Sequence, residues 1–307
     1  MSAPAHVPVL CDTSVSLLRP APGRRFVDGT FGLGGHARRL LDAGAEVLGL
    51  DLDPDAVAAC RALAVEKPSL RCRAISFRKM GEALAREGWP AVDGILLDLG
   101  VSSPQLDVPG KGFTYREDGP LDLRFDRQTG DSAAVLVARL DATALADLLW
   151  RYGEERRSRR IARAIVEAGE REPIATTARL RDVVAGVVGG GPRLNATLSR
   201  VFQALRIAVN DELEALRSAL QAVPGCLAPG GRLVVISYHS LEDRIVKHWL
   251  SDASRDCLCP PEVPVCACSH RRTMNVLSRR AVRPDEEELA DNPRARSARL
   301  RAGEKVS

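Results

Sequence analysis

The chain has 307 residues, a formal net charge of +4, 45% hydrophobic residues and 27% charged residues. This composition supplies enough apolar material for a folded core and excludes a wholly disordered chain. No segment approaches the roughly 18 uninterrupted apolar residues of a membrane span, and the first ten residues lack the pattern of a secretory signal. We therefore expect a cytoplasmic protein without membrane contact, whose eight cysteines are thiols or metal ligands rather than a disulfide framework.

Strands and helices alternate along the first hundred residues. Short apolar segments predict strands over 25–28, 46–52, 70–75 and 92–99. Amphipathic segments predict helices over 9–18, from the first glycine-rich turn to about 41, over 54–65 and over 80–87. This spacing is typical of a parallel, doubly wound sheet.

The alternation stops after residue 99. Residues 100–130 predict a long loop rich in Gly and Pro, and 132–188 read as helical. A long helix is predicted over 197–221, and a fifth strand over 232–237 is followed by a helix over 241–250. The polar tail carries Arg294, Arg296, Arg299 and Arg301, and its alternation predicts an edge strand.

We therefore predict an α/β fold: a Rossmann-like sheet with an all-helical domain inserted between strands 4 and 5. The expected domains are 1–109 and 196–307 for the sheet and 110–195 for a helical, substrate-recognising insertion.

A glycine-rich turn, Asp28–His36, lies between the first strand and its helix. Glycines there let backbone N–H groups approach a ligand at the helix N-terminus. The pattern Gly32-x-Gly34-x-x-Ala37, with Asp51 nineteen residues after Gly32, also fits a dinucleotide fingerprint. An NAD-dependent oxidoreductase is therefore one alternative.

Two acids favour S-adenosylmethionine over NAD as the cofactor. Asp28 precedes the glycines, where a carboxylate suits a cationic ligand and repels a pyrophosphate. Asp98 ends the fourth strand and is followed by the polar segment 102–105. The carboxyl edge of a parallel sheet is where ligands bind in such folds.

Seven motifs, in order along nearly the whole chain, resemble the RsmH (MraW) family. They are Asp28–His36, Asp98–Asp107, Gly119–Arg124, Tyr152–Arg156, Phe202–Asn210, Ser240–Arg244 and Asn292–Ser297. The resemblance implies a class I methyltransferase that modifies the N4 amine of a cytosine in the decoding region of small-subunit (16S) ribosomal RNA. It also implies cofactor-binding residues, which are Gly34, Gly35, His36, Asp51, Phe77, Asp98 and Gln105.

The residues near the fourth strand fit amine methylation better than methylation of carbon 5, which needs a nucleophilic Cys. Cys72 is the nearest cysteine in sequence. An amine needs mainly to be positioned, and a carboxylate can stabilise its developing charge. Asp98 and the segment 102–105 are candidates for this role, with Phe113 or Tyr115 for base stacking. His239, at the end of the fifth strand, is a candidate proton acceptor.

Basic residues in the helical segment predict an RNA surface. The 44 basic residues are Arg except for five, and six Arg lie within 151–163. Placed on one helix, Arg156, Arg159, Arg160 and Arg163 would share a face. We predict that these four contact RNA phosphates, with Arg124 and Arg206 as further candidates.

Four cysteines form two C-x-C pairs around a short Pro-rich loop. They are Cys257, Cys259, Cys266 and Cys268. Two close pairs could hold zinc, but C-x-C is less usual than C-x-x-C, so we expect reduced thiols and assign no metal.

Three functional alternatives stay open from sequence alone. One is a methyltransferase of the same fold that acts on DNA or protein amines. Another is the NAD-dependent oxidoreductase, and the third is a catalytically silent RNA-binding assembly factor. The partner we expect is small-subunit ribosomal RNA in an assembled or late-assembling 30S particle. Whether the chain is a monomer or a homodimer is left open.

Overall fold

The computed structural model describes residues 8–101, 105, 108–260, 262 and 265–306. The chain forms two compact units. One comprises residues 1–100 with 214–307, and the other comprises residues 101–213. The predicted helical segment 110–195 lies inside the second unit, and its exact extent as a domain stays a prediction.

Within the described residues, the first unit contains one seven-stranded sheet with the order β3-β2-β1-β4-β5-β7-β6. The strands are β1 (Arg25–Asp28), β2 (Glu46–Asp51), β3 (Leu70–Ala74), β4 (Val92–Asp98), β5 (Leu227–Ser237), β6 (Met274–Val276) and β7 (Arg299–Lys305). The first five pair in parallel, which confirms the predicted Rossmann-like sheet.

The C-terminal strand was predicted as an edge strand, and that position is wrong. β7 pairs antiparallel with β5 on one side and with β6 on the other. Arg301, on β7, is buried and donates from Nε to Asp243 Oδ1 at 2.6 Å. Its charge is therefore neutralised inside the protein, as its position on an interior strand requires. Arg294 and Arg296 lie before the strand, in the 3-10 helix Pro293–Ser297.

Helices cover both faces of the sheet. Those of the first unit are α1 (Cys11–Leu18), α2 (Gly35–Asp42), α3 (Pro54–Glu66), α4 (Met80–Glu87), α11 (Ser240–Ala253) and α12 (Glu286–Asp291), with α10 (Glu212–Cys226) spanning its boundary. Residues of α1, α2 and α3 share one apolar core, and residues of α4, α10 and α11 share the other. Consecutive side chains of β1 enter opposite cores, Phe26 one and Val27 the other, as a sheet buried on both faces requires.

The second unit is helical. Its helices are α5 (Ala133–Arg139), α6 (Ala142–Gly153), α7 (Ser158–Arg171), α8 (Thr177–Val188) and α9 (Pro192–Asn210). Several begin at residues that cap the free N–H groups: the side chains of Ser132, Asp141 and Thr176 accept hydrogen bonds from the backbone of the first turns of α5, α6 and α8. These helices share a third apolar core.

The single long helix predicted over 197–221 is wrong. The segment forms two helices, α9 and α10, separated at Asp211, whose φ is +51°. A left-handed residue ends a helix, and apolar periodicity continues on both sides of it, so the pattern hides the break. α9 also begins earlier than predicted, because Pro192 occupies its first turn.

One cysteine pair differs from the expectation of thiols or metal ligands. Cys60 on α3 and Cys72 on β3 form a disulfide, and the described cysteines outside this pair are free. The two residues are on neighbouring elements whose packing brings them together, which their spacing in sequence does not indicate.

Among the described residues, no helix is long and apolar enough to cross a membrane.

Candidate active site

A tight turn connects β1 to α2 at the carboxyl edge of the sheet. Gly34 caps α2 with a φ of +75°, a conformation that favours glycine. A Cβ atom on Gly34 would lie only 2.5 Å from Phe31 Cζ. The Phe31 ring therefore fills the space beneath the turn, and glycine leaves the backbone at the start of α2 free of side-chain atoms.

Asp51, the last residue of β2, is joined to this turn by its carboxylate. Gly32 N donates to Asp51 Oδ2 at 2.8 Å, and Asp53 N donates to Asp51 Oδ1 at 2.9 Å. Burial raises the pKa of Asp51, whereas these backbone hydrogen bonds lower it. The two contacts fix the carboxylate orientation and leave each oxygen with a further lone pair for a ligand.

Asp98, the last residue of β4, lies on the other side of the turn. Its backbone N–H donates to Thr30 Oγ1 at 2.6 Å, and Tyr238 Oη donates to Asp98 Oδ1 at 2.8 Å. Burial raises the pKa of Asp98 to about 7, and the Tyr238 hydrogen bond opposes that rise. The Asp98 side chain is still 23% exposed, so it can be reached by a ligand.

Asp28 and His36 are buried between these two acids. Burial raises the pKa of Asp28 to about 6, and Thr30 N donates to Asp28 Oδ1 at 3.3 Å. Burial lowers the pKa of His36. His36 Nε2 lies 3.1 Å from the Val9 carbonyl oxygen, so Nε2 carries the proton, and Nδ1 lies 3.8 Å from Asp98 Oδ2.

Phe77 lies at the same edge. It begins the 3-10 helix Phe77–Lys79 that follows β3, and it packs partly buried against the core. A Cβ atom on Gly29 would lie 3.1 Å from Phe77 Cβ, so this aromatic residue borders the glycine-rich turn.

His239, predicted as a proton acceptor, caps a helix in this fold, and its role in proton transfer stays a prediction. It is the N-cap of α11: Glu242 N donates to His239 Nδ1 at 3.4 Å, and His239 N donates to Glu242 Oε2 at 3.4 Å. His239 Nε2 also lies 3.2 Å from Glu242 Oε1. Its neighbour Tyr238, which the sequence analysis did not assign, contacts Asp98 instead.

Gln105 lies in the second unit, where it is buried, and its cofactor contact stays a prediction. The predicted segment 102–104 lies outside the described residues. Neither aromatic candidate for base stacking is free: Phe113 stacks on Phe125 with ring centroids 5.6 Å apart, and Tyr115 packs edge-on against Phe202. Both help to build the helical core.

The predicted arginine face is only partly helical. Arg159, Arg160 and Arg163 are exposed on α7, opposite its buried face, but Arg156 precedes the helix in a turn. Arg156 instead lines a surface cavity of about 430 Å³. The lining residues are Glu154, Glu155, Arg156, Arg157, Arg193, Thr197 and Arg200. Arg200 Nε donates to Glu155 at 2.6 Å, so this arginine is already paired, and Arg193 adds a positive charge here that the sequence pattern did not indicate.

Two further arginine candidates are already paired. Arg124 donates to both oxygens of Asp122, at 2.7 and 3.0 Å, and to the Gly130 carbonyl oxygen. Arg206 donates to both oxygens of Glu212, at 2.8 and 2.9 Å. Both are bidentate pairs within the second unit, and RNA contact by either arginine stays a prediction.

The sequence comparisons decide the family. The model of the MraW methylase family matches residues 3–306. The chain belongs to the MraW methylase family. Ribosomal RNA small subunit methyltransferase H of Thermomicrobium roseum is 49% identical over 307 residues, covering 98% of this chain and 94% of that protein. The Deinococcus radiodurans protein of the same name is 50% identical over 303 residues, covering 99% and 90%.

Among solved structures, an rRNA methylase from Streptococcus thermophilus has a TM-score of 0.43 at 10% identity, covering 99% of this chain and 100% of that one. The resemblance that the motifs indicated is confirmed by the family match. Membership of a methylase family removes the support for an NAD-dependent oxidoreductase, which rested on the glycine pattern and Asp51 alone.

Proposed function

We propose that this chain transfers a methyl group from S-adenosylmethionine to the N4 amine of a cytosine in the decoding region of small-subunit (16S) ribosomal RNA, in the cytoplasm. The family match and the names of the relatives support an rRNA methyltransferase. The structural observation that best supports the proposal is the hydrogen bond from Gly32 N to the Asp51 carboxylate. It joins the acid that ends β2 to the glycine-rich turn after β1.

The residues at this edge fit S-adenosylmethionine. Three carboxyl groups, those of Asp28, Asp51 and Asp98, surround the turn, which suits a cation and disfavours a pyrophosphate. When bound, S-adenosylmethionine supplies an electrophilic methyl group. Asp51 would accept hydrogen bonds from its ribose hydroxyls, and Phe77 would pack against its adenine.

Gly34 N donates to the Phe31 carbonyl oxygen at 2.7 Å, so Gly34 would shape the turn while Gly35 presents its backbone N–H group, at the start of α2, to the methionine carboxylate. The glycine at position 35 is itself required by packing, because a Cβ atom there would lie 2.9 Å from Pro8 Cγ. His36, held by the Val9 carbonyl, would keep the N-terminal segment against this turn.

Asp98 is the residue we assign to the amine. In its charged form it would accept a hydrogen from the cytosine amine and stabilise the positive charge that develops during transfer. Tyr238 fixes the Asp98 carboxylate through Oδ1, which leaves Oδ2 for the substrate. Cys72, the cysteine nearest to Asp98 in sequence, forms the disulfide with Cys60 and so offers no thiol for attack on carbon 5.

The second unit would bind the RNA. The exposed Arg159, Arg160 and Arg163 on α7, with Arg156 at the neighbouring cavity, would contact phosphates. We propose the 30S particle, assembled or nearly so, as the substrate form. We include a homodimer in this proposal, as an oligomeric state to be tested.

A methyl-transfer assay tests this proposal. The protein is incubated with S-adenosylmethionine that carries a labelled methyl group. Each incubation contains one candidate substrate: naked 16S rRNA, 30S particles, duplex DNA or a protein mixture. We expect label in the ribosomal RNA, and nuclease digestion followed by mass spectrometry should identify N4-methylcytidine. Label on carbon 5, or only in DNA or protein, contradicts the proposal, and no transfer to any substrate supports the silent assembly factor.

A further inference from the structure

A loop of the first unit, residues 254–272, connects α11 to β6 and carries four of the free cysteines. We name Cys257, Cys259, Cys266 and Cys268 the thiol cluster. The described residues of this loop form no helix or strand. Loops longer than about 12–15 residues without secondary structure are uncommon unless something else orders them.

The two ends of the loop are fastened together. Thr273 N donates to the Ala253 carbonyl oxygen at 2.9 Å, and His270 Nε2 lies 3.0 Å from the Asp252 carbonyl oxygen. These contacts close the base of the loop at the end of α11. Among the described residues of the outer part of the loop, 256–269, which holds the thiol cluster, no backbone–backbone hydrogen bond is present.

The sulfur atoms of the thiol cluster converge on one point. Cys257 Sγ lies 3.3 Å from Cys266 Sγ and 3.7 Å from Cys268 Sγ, and the last two sulfurs are 3.6 Å apart. All four sulfurs lie within 4.8 Å of one another. A zinc ion bound by four thiolates at about 2.3 Å requires sulfur separations of about 3.8 Å.

Backbone N–H groups also point at these sulfurs. Cys259 N donates to Cys257 Sγ at 3.3 Å, and Leu258 N donates to Cys268 Sγ at 3.4 Å. Such donors stabilise the charged thiolate form, which is the form that binds metal. Arg271 and Arg272, both exposed, follow closely in sequence and would offset the negative charge of a zinc ion with four thiolates.

We propose that the thiol cluster binds one Zn²⁺ ion through four thiolates. The four thiol protons pass to solvent as the bonds form. A site with four protein ligands has no open position, so the metal orders the loop and takes no part in chemistry. The C-x-C spacing alone favoured reduced thiols, and the convergence of the sulfurs is what changes that interpretation.

Metal analysis tests the proposal on the full chain. The protein is purified under reducing conditions without chelator, given excess Zn²⁺ and desalted, and its zinc is measured by mass spectrometry. We expect about one zinc per chain, as a closed four-thiolate site requires. The double variant Cys257→Ser, Cys266→Ser should lose it, and Cys11→Ser, which changes a thiol elsewhere, should keep it. Wild-type protein that retains no zinc overturns the proposal.

Two measurements on the wild-type protein do not depend on how the variants fold. Replacing zinc with Co²⁺ should give the visible absorption of a tetrahedral thiolate site, and an octahedral cobalt spectrum contradicts the assignment. Removing the metal with a chelator should speed amide hydrogen exchange in 254–272 by roughly tenfold or more, while exchange in the central strands stays unchanged. Exchange in the loop that does not respond contradicts the proposed ordering.

Discussion

Burial and the hydrogen bond from Tyr238 together set the pH at which the Asp98 carboxylate is charged. Burial raises the pKa of Asp98 to about 7, and the Tyr238 hydroxyl lowers it by donating to the charged form. Below that pH the carboxyl is protonated, so it lacks the negative charge that would stabilise the positive charge developing on the amine. The kcat/KM for RNA methylation should therefore rise as the pH increases through about 7.

Tyr238→Phe should move this pH dependence. Losing the hydroxyl removes a donor to the Asp98 carboxylate, so its pKa rises and the increase in kcat/KM shifts upward by about one pH unit. Steady-state methylation measured between about pH 5.5 and 9 reads out the shift. Tyr115→Phe, which removes a hydroxyl bonded to Ser199 in the second unit, is the matched control and should leave the profile in place. If Tyr238→Phe leaves the pH dependence of kcat/KM unchanged, the ionisation of Asp98 does not set that dependence.

Sequence reasoning singled out Asp51 and Asp98 as candidates but not Tyr238, for a physical reason. Each acid is the last residue of a buried apolar strand, so strand prediction alone places it at the ligand-binding edge. Tyr238 matters because of a partner 140 positions away in the chain. His239 was assigned from its chemical type, whereas the local capping geometry of α11 sets its contacts.

We propose that cofactor binding depends on the turn between β1 and α2. Gly34→Ala should cost about 1–3 kcal/mol of unfolding free energy, because the side chain both strains a left-handed residue and meets the Phe31 ring. We also expect the Kd for S-adenosylmethionine to rise roughly tenfold as the turn shifts. Urea denaturation and calorimetry measure the two effects.

Gly88→Ala is the control for Gly34→Ala, because it introduces the backbone strain of a left-handed residue without a close side-chain contact. Gly88 has a φ of +68°, but a Cβ atom there would meet nothing within 4 Å. This variant should lose about 1 kcal/mol, by the strain alone, and bind the cofactor normally. Equal effects of the two variants on binding would show that the packing of Phe31 against the turn is irrelevant to the site.

Elements with local signals were predicted well, and elements fixed by distant contacts were not. Pro54 and the Asp53 cap start α3 where the sequence places it. The break at Asp211 gives no such signal, because the apolar pattern runs on from α9 into α10. β6 was missed because three residues carry too little pattern, and its pairing with β7 is what makes it a strand.

We propose that the two units of the molecule have different roles, cofactor binding in the first and RNA binding in the second. The first unit carries the carboxylates and the glycine-rich turn, and the second carries the exposed arginines of α7. The triple variant Arg159→Gln, Arg160→Gln, Arg163→Gln should weaken RNA binding and reduce the slope of log K against log salt by about 1 for each phosphate contact removed. Filter binding at several salt concentrations measures both.

Arg61→Gln is the control for the arginine variant. Arg61 is exposed on α3 in the first unit, so its loss removes a positive charge without touching α7. We expect its salt dependence to match the wild type, and both variants should bind S-adenosylmethionine normally. A triple variant with an unchanged salt slope would show that this face of α7 does not contact RNA.

Binding of S-adenosylmethionine at the carboxyl edge of the sheet is measured by calorimetry, with S-adenosylmethionine and, separately, NAD titrated into the wild-type protein and into Asp51→Asn. The substitution keeps the shape of the side chain and removes its charge, and Asp147→Asn, at an exposed position on α6, controls for charge alone. We expect S-adenosylmethionine to bind to the wild-type protein and NAD not to bind. Asp51→Asn should raise the Kd for S-adenosylmethionine by roughly tenfold or more, because a charge-assisted hydrogen bond is lost. An equal Kd for wild type and Asp51→Asn, or tighter binding of NAD, contradicts these expectations.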